Sequence, residues 1–487
     1  MSDRAPHVVV VGAGIAGLSA ARALVAATSP PARSRGRPRV RVSVLDGAAR
    51  VGGALLAESL DGIPVDVGAE ALLARRPEAL ELARAVGLGA DIVHPVTTQA
   101  WIWSRGALRT LPAGTLLGVP GDLHALAASG VLSLAELARV PLDHYLPGRT
   151  LEEDVSVGSW VGARVGRGVV DRLVEPLLGG DYAGRADQLS LQMTLPQLYA
   201  AARHESSLLA AVRRVQAGAP AAPAATPVFA GIRGGVGRLP TAVARTITAQ
   251  PGTEVRTGVT VRALRRARQG WHLTVGSRQA PEALDADAVI LAVPGPPAAR
   301  LLVDLVPVSA VELALLDYAS IALVTFVLPA GAIPASTRGS GFLVPPVERR
   351  LAKAATFATS KWAWSAQAAK GRTVVRVSIG RAGDVQDLQR EDAELVALAR
   401  RELTAVAGVR GVALAAEVTR WGGSLPQYAP GHRDMVEHLR ASLRRYPTLA
   451  LCGAAYDGVG VPACIASGTA AATKTLAALA ALAQRRG

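Results

Sequence analysis

Apolar runs that lead into glycine-rich turns recur along the chain and predict an alternation of strands and helices. Residues 8–11 form an apolar strand, GAGIAG follows, and the alanine-rich residues 15–24 predict a helix. Residues 40–45 and 286–294 predict two further buried strands, and 448–479 repeats the order of strand, glycine loop and helix. This alternation predicts an α/β domain of the Rossmann-like type.

The middle of the chain follows a different pattern. WIWSRGALRTLPAG (101–114) predicts two short strands around a turn, and residues 121–142 predict helical segments. SIALVTFVLP (320–329) and TVVRVSIG (373–380) predict buried strands, in a sheet over which a flat ligand can lie. Because 487 residues exceed one simple core, we expect at least two domains.

Three glycines in the first turn have the spacing of a dinucleotide-binding site. Gly12 permits a tight turn, Gly14 allows a pyrophosphate to approach the backbone, and Gly17 allows close packing of helix and strand. Asp46 ends the second strand, where it can accept hydrogen bonds from ribose hydroxyls. Asp46 comes later than the usual interval of about 20 residues after the glycines, and an exposed Pro/Arg-rich loop at 28–39 accounts for the delay. An ordinary aspartate in the turn after a strand, with no role in ribose binding, would give the same pattern.

The segment after the second strand favours FAD over NAD. Arg50, Gly52 and Gly53 follow the strand at once, and an NAD fingerprint requires none of them. Close backbone and an arginine at this place suit a longer, more extended dinucleotide. The arrangement resembles the arginine-double-glycine motif of FAD enzymes in the flavin amine oxidase superfamily.

The second glycine-rich turn, GAAYDGVGVPACIASG (453–468), predicts a flavin contact. Gly458 and Gly460 allow backbone to approach a planar ring, and Pro462 suits a first helical turn. The following helix is almost free of charge and is predicted to be buried, with its positive end at the flavin. A glycine turn and helix that merely pack remain the alternative. Cys464 is interpreted as a packing residue.

Composition excludes several other classes of function. The formal charge is +15, yet only four basic residues are lysines, and the arginines are scattered without an interleaved aromatic stripe. Nucleic-acid binding is therefore not expected. Two cysteines make no disulfide framework, and the histidines lack metal-ligand spacing except for the weak pair His432 and His438. We expect no metal, no signal peptide, no membrane-spanning segment and a cytoplasmic protein.

Six motifs occur in the order seen in the protoporphyrinogen/coproporphyrinogen oxidase family, which the chain resembles from about residue 7 to 480. They are GAGIAGLSAA, LLARRPEALELARAVGLG, VEPLLGGDYAGRADQLSLQMTLPQL, GGVGRLP, SLPQYAPGHRDMVEHL and GAAYDGVGVPACIASG. The likeness is to the soluble bacterial branch, which forms coproporphyrin III. Two departures stand out: Asp46 replaces a common glutamate, and GGD (179–181) replaces a more apolar tripeptide before a tyrosine.

The resemblance implies an α/β protein, α+β overall, with three parts. They are a discontinuous Rossmann-like FAD domain (1–90, 220–300 and 419–487), a mainly helical lid or membrane-facing domain (91–190), and a mixed-sheet substrate domain (191–219 and 301–418). An Ala/Pro-rich linker at 217–227 marks the return to the FAD domain. Together with Arg50 and Gly53, the implied FAD contacts are Gly12, Ala13, Gly14, Ile15, Ala16, Gly17, Asp46, Gly47, Ala54, Val67, Gly68, Ala69, Glu70, Val261, Trp421, Ala454, Val459, Gly460 and Val461.

The resemblance also implies the reaction, a step of haem biosynthesis in which coproporphyrinogen III loses hydride to flavin N5 three times. Dioxygen would reoxidise the flavin to give hydrogen peroxide, and a ferrochelatase could receive the product. No catalytic side chain is assigned, because the substrate tautomerises towards aromaticity and mainly needs orienting. Since it carries four propionates, the candidate substrate arginines are Arg75, Arg76, Arg105 and Arg109.

Three alternatives stay open. The first is a protoporphyrinogen IX oxidase, which would favour a more apolar pocket and a membrane-binding helix. The second is another superfamily oxidase, such as an amine oxidase, although the aromatic content of 4% is low for a substrate cage. The third is a flavin-free carrier resembling the GDP-dissociation inhibitors. Membrane contact is expected to be peripheral at most.

Overall fold

A computed structural model describes residues 5–28, 40–147, 151–218 and 227–486 of the chain. The predicted loop at 28–39 and the linker at 217–227 lie almost wholly outside the described residues. The strands are β1 His7–Val11, β2 Arg41–Leu45, β3 Ala57–Leu60, β4 Ile63–Asp66, β5 Leu72–Leu73, β6 Ile92–Val93, β7 Ala100–Ser104, β8 Ala107–Thr110, β9 Thr115–Leu116, β10 Val119–Pro120, β11 Phe229–Ile232, β12 Thr253–Arg256, β13 Val261–Arg266, β14 Trp271–Gly276, β15 Pro281–Ala286, β16 Ala288–Leu291, β17 Tyr318–Leu328, β18 Gly341–Leu343, β19 Ala352–Phe357, β20 Thr373–Ile379, β21 Ala415–Pro426 and β22 Leu449–Leu451.

Eight of the helices in the described part of the chain follow one another between residues 123 and 217, and the others are spread before and after this segment. The helices are α1 Ile15–Thr28, α2 Pro77–Ala85, α3 Leu123–Ser129, α4 Leu134–Arg139, α5 Val157–Val165, α6 Arg167–Val169, α7 Glu175–Tyr182, α8 Leu191–Thr194, α9 Pro196–Ala202, α10 Leu208–Ala217, α11 Arg238–Thr248, α12 Gly295–Leu302, α13 Pro307–Ala314, α14 Ala358–Lys361, α15 Ala363–Ala369, α16 Asp392–Ala407, α17 His432–Ser442, α18 Ala454–Asp457 and α19 Val461–Arg486. A π-helical turn, Val170–Val174, joins α6 to α7.

A five-stranded parallel sheet brings the two ends of the sequence together. The strand order is β12-β2-β1-β16-β22. The first strand of the chain, β1, and the last, β22, are therefore separated only by β16. All of these strands except the edge strand β12 are largely buried and rich in valine, isoleucine and leucine, as expected of a parallel sheet covered on both faces. Ligands of such sheets bind beyond the carboxyl ends of the strands, and both predicted glycine turns lie there.

A seven-stranded sheet forms the second large layer, in the order β21-β17-β20-β19-β18-β7-β8. It contains both strands that the apolar runs at 320–329 and 373–380 predict. The hairpin β7–β8, in the segment predicted as mainly helical, joins this sheet through parallel pairing of β7 with β18. The structure thus differs from the predicted boundary at residue 91, because this hairpin contributes to the substrate-domain sheet.

The helical segments of residues 123–217 share one hydrophobic core. Leu126, Val161, Leu173, Leu198 and Val212 are all fully or almost fully buried in it. Residues 191–217 therefore pack with the helical part, whereas the predicted boundaries assigned them to the substrate domain. Local signals set several helix starts, for example a capping box between Ser133 and Glu136 at α4.

The C-terminal helix α19 is buried only in its first half, which corrects the expectation that all of it is buried. Ile465, Ala471 and Ala472 are buried, but most residues after Lys474 are exposed. The helix can lack charge without being buried, because it is rich in alanine and the small alanine side chain leaves little apolar surface to cover. Among the described residues, 461–485 is long and apolar enough to span a bilayer by length and composition alone, and a core helix meets the same criterion.

Candidate functional site

The N-terminal glycine turn has one open position between two crowded ones. A Cβ at Gly12 would lie 2.4 Å from the carbonyl oxygen of Ala292, and a Cβ at Gly17 would lie 1.9 Å from that of Gly12. A Cβ at Gly14 would meet no protein atom within 4 Å. The backbone at Gly14 therefore faces free space at the start of α1, as a pyrophosphate cradle at a helix N-terminus requires.

Asp46 holds this turn from the end of β2. Its Oδ2 accepts a 2.6 Å hydrogen bond from the Ala13 N–H, and its Oδ1 accepts a 2.8 Å bond from the Ala48 N–H. Each carboxylate oxygen keeps a lone pair for a further donor, so these contacts are compatible with ribose binding. The same carboxylate thus organises the phosphate turn directly, a role that the sequence analysis did not assign.

Substituting Asp46 by asparagine is expected to weaken FAD binding about tenfold, or about 1.4 kcal/mol. The side-chain amide would direct an N–H at the N–H of Ala13 or Ala48, and a charge-assisted hydrogen bond would be lost. Titration of flavin-free protein with FAD, followed by fluorescence quenching, measures the affinity. Asp304→Asn changes an exposed aspartate after α12 and serves as the control. Wild-type affinity in Asp46→Asn would contradict the assigned role.

A cavity of about 520 Å³ continues from this turn. It brings together Gly12, Asp46, Gly47 and Val261, four of the predicted cofactor positions. Its other lining residues were not predicted from the sequence: Val11, Leu45, Val259, Thr260, Arg262, Arg278, Val293, Pro294, Pro297, Arg300 and Leu301. The available signal was the apolar strand at 286–294, since a parallel neighbour of β1 must end at the same edge of the sheet.

The arginine-double-glycine segment (Arg50, Gly52 and Gly53) lies against the N-terminal glycine turn. The Gly52 N–H donates to the Ala13 carbonyl at 2.8 Å, and the Arg50 guanidinium donates to the Gly53 carbonyl at 2.8 Å. The same guanidinium lies 5.6 Å from the ring centroid of Trp421, a favourable cation–π arrangement. Arg50, Gly53 and Trp421 therefore meet although Gly53 and Trp421 are 368 positions apart along the chain.

The next predicted stretch, 67–70, packs close to Ala54. A Cβ at Gly68 would lie 2.0 Å from the Ala54 carbonyl oxygen, and the Trp421 Nε1–H donates to the Val67 carbonyl at 2.7 Å. The approach at Gly68 leaves no space for any larger residue. Ala69 continues this contact, since its N–H donates to the Ala54 carbonyl at 3.2 Å.

Glu70 is paired with two cations that the sequence analysis missed. Its carboxylate lies 2.6 Å from the Lys361 Nζ and 3.4 Å from the Arg376 guanidinium. Burial alone would raise the pKa of Glu70, but Lys361 and Arg376 outweigh it and lower the pKa to about 2. The carboxylate is therefore ionised at physiological pH. An arginine inside the buried strand TVVRVSIG was the signal available in the sequence.

The C-terminal turn lies beside the N-terminal one. A Cβ at Gly468 would lie 2.1 Å from the Ala16 carbonyl oxygen, so α19 and α1 are in backbone contact. Gly453 and Gly458 have φ of 120° and 124°, which favour glycine. The expected helix start is confirmed, because α19 begins at Val461 with Pro462 in its first turn. The predicted contacts Ile15, Ala454, Val459 and Gly460 lie on these two turns.

Polar groups around the C-terminal turn hold it in place. Asp457 accepts hydrogen bonds from Arg440 at 2.7 Å and from the Ser467 hydroxyl at 2.5 Å.

Burial raises the pKa of the Cys464 thiol to about 12, so it carries no thiolate at neutral pH. His432 contacts the Ala455 carbonyl, and no cluster of three or more metal-ligand side chains occurs in the described part of the chain.

The four candidate substrate arginines are not brought together. Arg75 and Arg76 lie in the exposed turn before α2, and Arg76 forms a 2.6 Å ion pair with Glu78. Arg105 and Arg109 lie on the β7–β8 hairpin, where their guanidinium groups donate to backbone carbonyls at 2.9 and 3.0 Å. Their part in substrate binding stays a prediction.

Comparison with known proteins assigns this arrangement to a family. The profile of flavin-containing amine oxidoreductases matches residues 15–476. The coproporphyrinogen III oxidase of Bacillus subtilis (strain 168) is 30% identical over 480 residues, 98% of this chain and 99% of that protein. The coproporphyrinogen III oxidase of Mycobacterium tuberculosis (strain ATCC 25618 / H37Rv) is 36% identical over 474 residues, 96% of this chain and 97% of that protein.

The fold is also similar to that of a solved structure. A crystal structure of a protein from Exiguobacterium sp. 255-15 superposes with a TM-score of 0.82 at 29% identity, and the match covers 98% of this chain and 99% of that one. The similarity therefore extends over the nucleotide-binding sheet, the seven-stranded sheet and the helical part together.

Proposed function

The chain belongs to the flavin-containing amine oxidoreductases and, within them, to the protoporphyrinogen/coproporphyrinogen oxidase family, and on this basis we propose that it converts coproporphyrinogen III to coproporphyrin III. The observation that carries the proposal is identity of 30–36% to coproporphyrinogen III oxidases over at least 94% of the chain. It is an FAD-dependent oxidoreductase that acts on a porphyrinogen, and oxidation of a porphyrinogen is a step of haem biosynthesis.

The residues of the site fit FAD. The cradle at Gly14 is open, Asp46 keeps lone pairs for a ribose, and the cavity beyond it extends past Val261. When bound, FAD supplies hydride acceptance from the substrate and, in this proposal, reoxidation by dioxygen with release of hydrogen peroxide. The backbone at Gly14 would bind the pyrophosphate, and α19 would direct its positive end at the flavin ring.

The protein's own part in the reaction is to orient a flat substrate and to keep bulk water away from it. The seven-stranded sheet reaches the predicted FAD-binding stretch 67–70, since the Trp421 Nε1–H on β21 donates to the Val67 carbonyl. Conversion of the porphyrinogen to the porphyrin removes six electrons and six protons, and hence requires three productive alignments of substrate and cofactor.

We also propose that the protein is cytoplasmic, that it contacts membranes only peripherally, and that it hands its product to a ferrochelatase.

Anaerobic stopped-flow mixing with coproporphyrinogen III and, separately, protoporphyrinogen IX tests the substrate. We expect coproporphyrinogen III to bleach the flavin and protoporphyrinogen IX to bleach it at least tenfold more slowly. The opposite order would favour a protoporphyrinogen IX oxidase. Bleaching by neither would refute the tetrapyrrole assignment in favour of another superfamily oxidase, and a purified protein that binds no flavin would favour a carrier.

A further inference from the structure

The cavity beside Asp46 extends away from the open position of the N-terminal glycine turn. Its lining includes Gly12, Asp46 and Val261 but not Gly14, where the backbone faces free space. In FAD the ribose separates the pyrophosphate from the adenine. With the pyrophosphate at Gly14 and the ribose at Asp46, the adenine falls in the part of the cavity beyond Asp46, next to Val261.

This cavity offers a purine aliphatic contacts but no aromatic ring, as far as its described lining residues show. Its apolar lining residues are Val11, Leu45, Val259, Val261, Val293, Pro294, Pro297 and Leu301. Three arginines, Arg262, Arg278 and Arg300, supply planar guanidinium groups instead. Such groups stack on the faces of nucleobases, so the lining has the parts of an adenine site.

Arg278 lies in the turn between β14 and β15, which is held against the cavity by hydrogen bonds. The Gly276 N–H donates to the Thr260 carbonyl at 2.9 Å, and the Arg262 Nε–H donates to the Gly276 carbonyl at 2.6 Å. Arg262 is therefore engaged in positioning this turn. The Arg278 guanidinium, by contrast, forms no hydrogen bond or ion pair with any described residue.

Arg300 reaches the cavity from a separate element, α12. Pro297, Arg300 and Leu301 all line the cavity, and their i, i+3 and i+4 spacing places them on one face of the helix. Ala298 and Leu302 are buried in the core and fix the helix in place. In the described part of the chain, the Arg300 guanidinium has no hydrogen-bond or ion-pair partner either. Two unpaired guanidinium groups on separate elements thus border the place of the adenine.

The charge of the lining also suits the adenosine diphosphate part of FAD. Three guanidinium groups face a single carboxylate, that of Asp46, which already accepts hydrogen bonds from two backbone N–H groups. The cavity is therefore cationic overall, and the pyrophosphate of FAD is an anion.

We propose that Arg278 and Arg300 close over the adenine of bound FAD and stack on it with their guanidinium planes, which makes the adenosine half of FAD an anchor for the flavin half. Both side chains are exposed, so they are free to adopt this arrangement when the cofactor binds. The inference concerns the cofactor alone and is independent of which porphyrinogen the enzyme oxidises. A pair of hydrated surface arginines is the alternative that the following tests exclude.

The double variant Arg278→Met/Arg300→Met tests this adenine clamp in flavin-free protein. We expect its affinity for FAD and for ADP to fall about 30-fold, because both ligands carry the adenine. Inorganic pyrophosphate has no base and should bind as it does to the wild type. The wild type should also bind ADP at least fivefold more tightly than UDP, and the variant should lose this preference. Isothermal titration calorimetry measures all four ligands.

The double variant Arg278→Lys/Arg300→Lys separates stacking from charge. Lysine keeps the positive charge but has no planar group. We therefore expect the lysine variant to lose about tenfold in ADP affinity, and its preference for ADP over UDP should fall as well.

Arg245→Met/Arg268→Met is the matched control. Arg245 lies in the last turn of α11 and Arg268 in the turn between β13 and β14; both are exposed, and neither lines the cavity. This variant removes the same two charges and should bind FAD and ADP as the wild type does. Because all four arginines are exposed, the urea unfolding midpoint of each flavin-free variant should match that of the wild type.

Four results would overturn the clamp. They are wild-type ADP affinity in Arg278→Met/Arg300→Met, an equal loss of ADP affinity in the control, full rescue by lysine, and a lowered unfolding midpoint in flavin-free Arg278→Met/Arg300→Met. The last of these would assign the two arginines a structural role. Failure of the proposed function is distinguishable from all four, because none of these measurements contains a porphyrinogen.

Discussion

Gly14→Ala is expected to give a folded protein that purifies almost free of flavin. The added methyl group would meet no protein atom within 4 Å, so it occupies the space that the pyrophosphate needs. We expect FAD affinity to fall on the order of 100-fold, about 2.7 kcal/mol. Alanine instead of glycine at the residue before α1 should cost the flavin-free protein about 1 kcal/mol or less.

Gly17→Ala provides the matched comparison. Its methyl group would lie 1.9 Å from the Gly12 carbonyl oxygen and 3.1 Å from the Ala292 Cβ, so α1 must move away from β1. Such overpacking costs roughly 1–3 kcal/mol or more, and the loss should already be present without flavin. Urea unfolding of flavin-free proteins separates the two variants, since bound FAD would otherwise add to stability.

Either of two outcomes would contradict this view of the turn. Wild-type FAD affinity in Gly14→Ala would place the pyrophosphate elsewhere. A wild-type unfolding midpoint in flavin-free Gly17→Ala would mean that helix and strand do not need the close approach.

Sequence predicted best what local pattern and spacing control. The glycines of the first turn, Asp46 at the end of a strand and Pro462 at a helix start each follow from chemistry within about ten residues. The expected strand near His7 and the hairpin at 101–114 are confirmed as β1 and β7–β8. The resemblance then added the FAD-dependent oxidoreductase assignment, which the family match confirms.

Sequence predicted least well what long-range pairing controls. Glu70 meets Lys361 and Arg376 only because distant segments pack at one place, and no local period carries that information. The pairing of β7 with β18 joins residues about 240 positions apart and shifts a domain boundary. The bulge at Lys353 is likewise a property of strand register and not of the apolar pattern of β19.

Asp143→Ala is expected to cost about 3–5 kcal/mol of stability in the helical part of the molecule. Asp143 is fully buried and accepts hydrogen bonds from Arg164 Nε at 2.5 Å, the Ser207 hydroxyl at 2.6 Å and the Leu209 N–H at 2.9 Å. These bonds connect the 3₁₀ turn after α4 (Val140–His144) to α5 and to the start of α10. Removing the carboxylate leaves the buried Arg164 charge without its counter-ion, and urea unfolding followed by far-ultraviolet circular dichroism measures the loss.

A surface ion pair in the same helical part of the molecule provides the control. Asp171→Ala removes the i,i+4 ion pair with Arg167, whose members are 34% and 52% exposed, and should cost about 0.5 kcal/mol or less. If both substitutions cost the same, the buried pair contributes no more than a surface pair. Asp143→Asn keeps the shape and should fall between the two, because it loses the charge but retains hydrogen-bonding atoms.

The pH dependence of this loss distinguishes charge from packing. Burial alone would raise the pKa of Asp143, but hydrogen bonds from Ser207, Leu209 and Arg164 outweigh it and lower the pKa. A lowered folded-state pKa stabilises the protein above the unfolded value of about 4, and that contribution is lost as pH falls through the folded pKa. The difference between wild type and Asp143→Ala should therefore shrink in acid. A difference of the same size at neutral and at acidic pH would show that the lost side-chain volume, and not the carboxylate charge, causes the destabilisation.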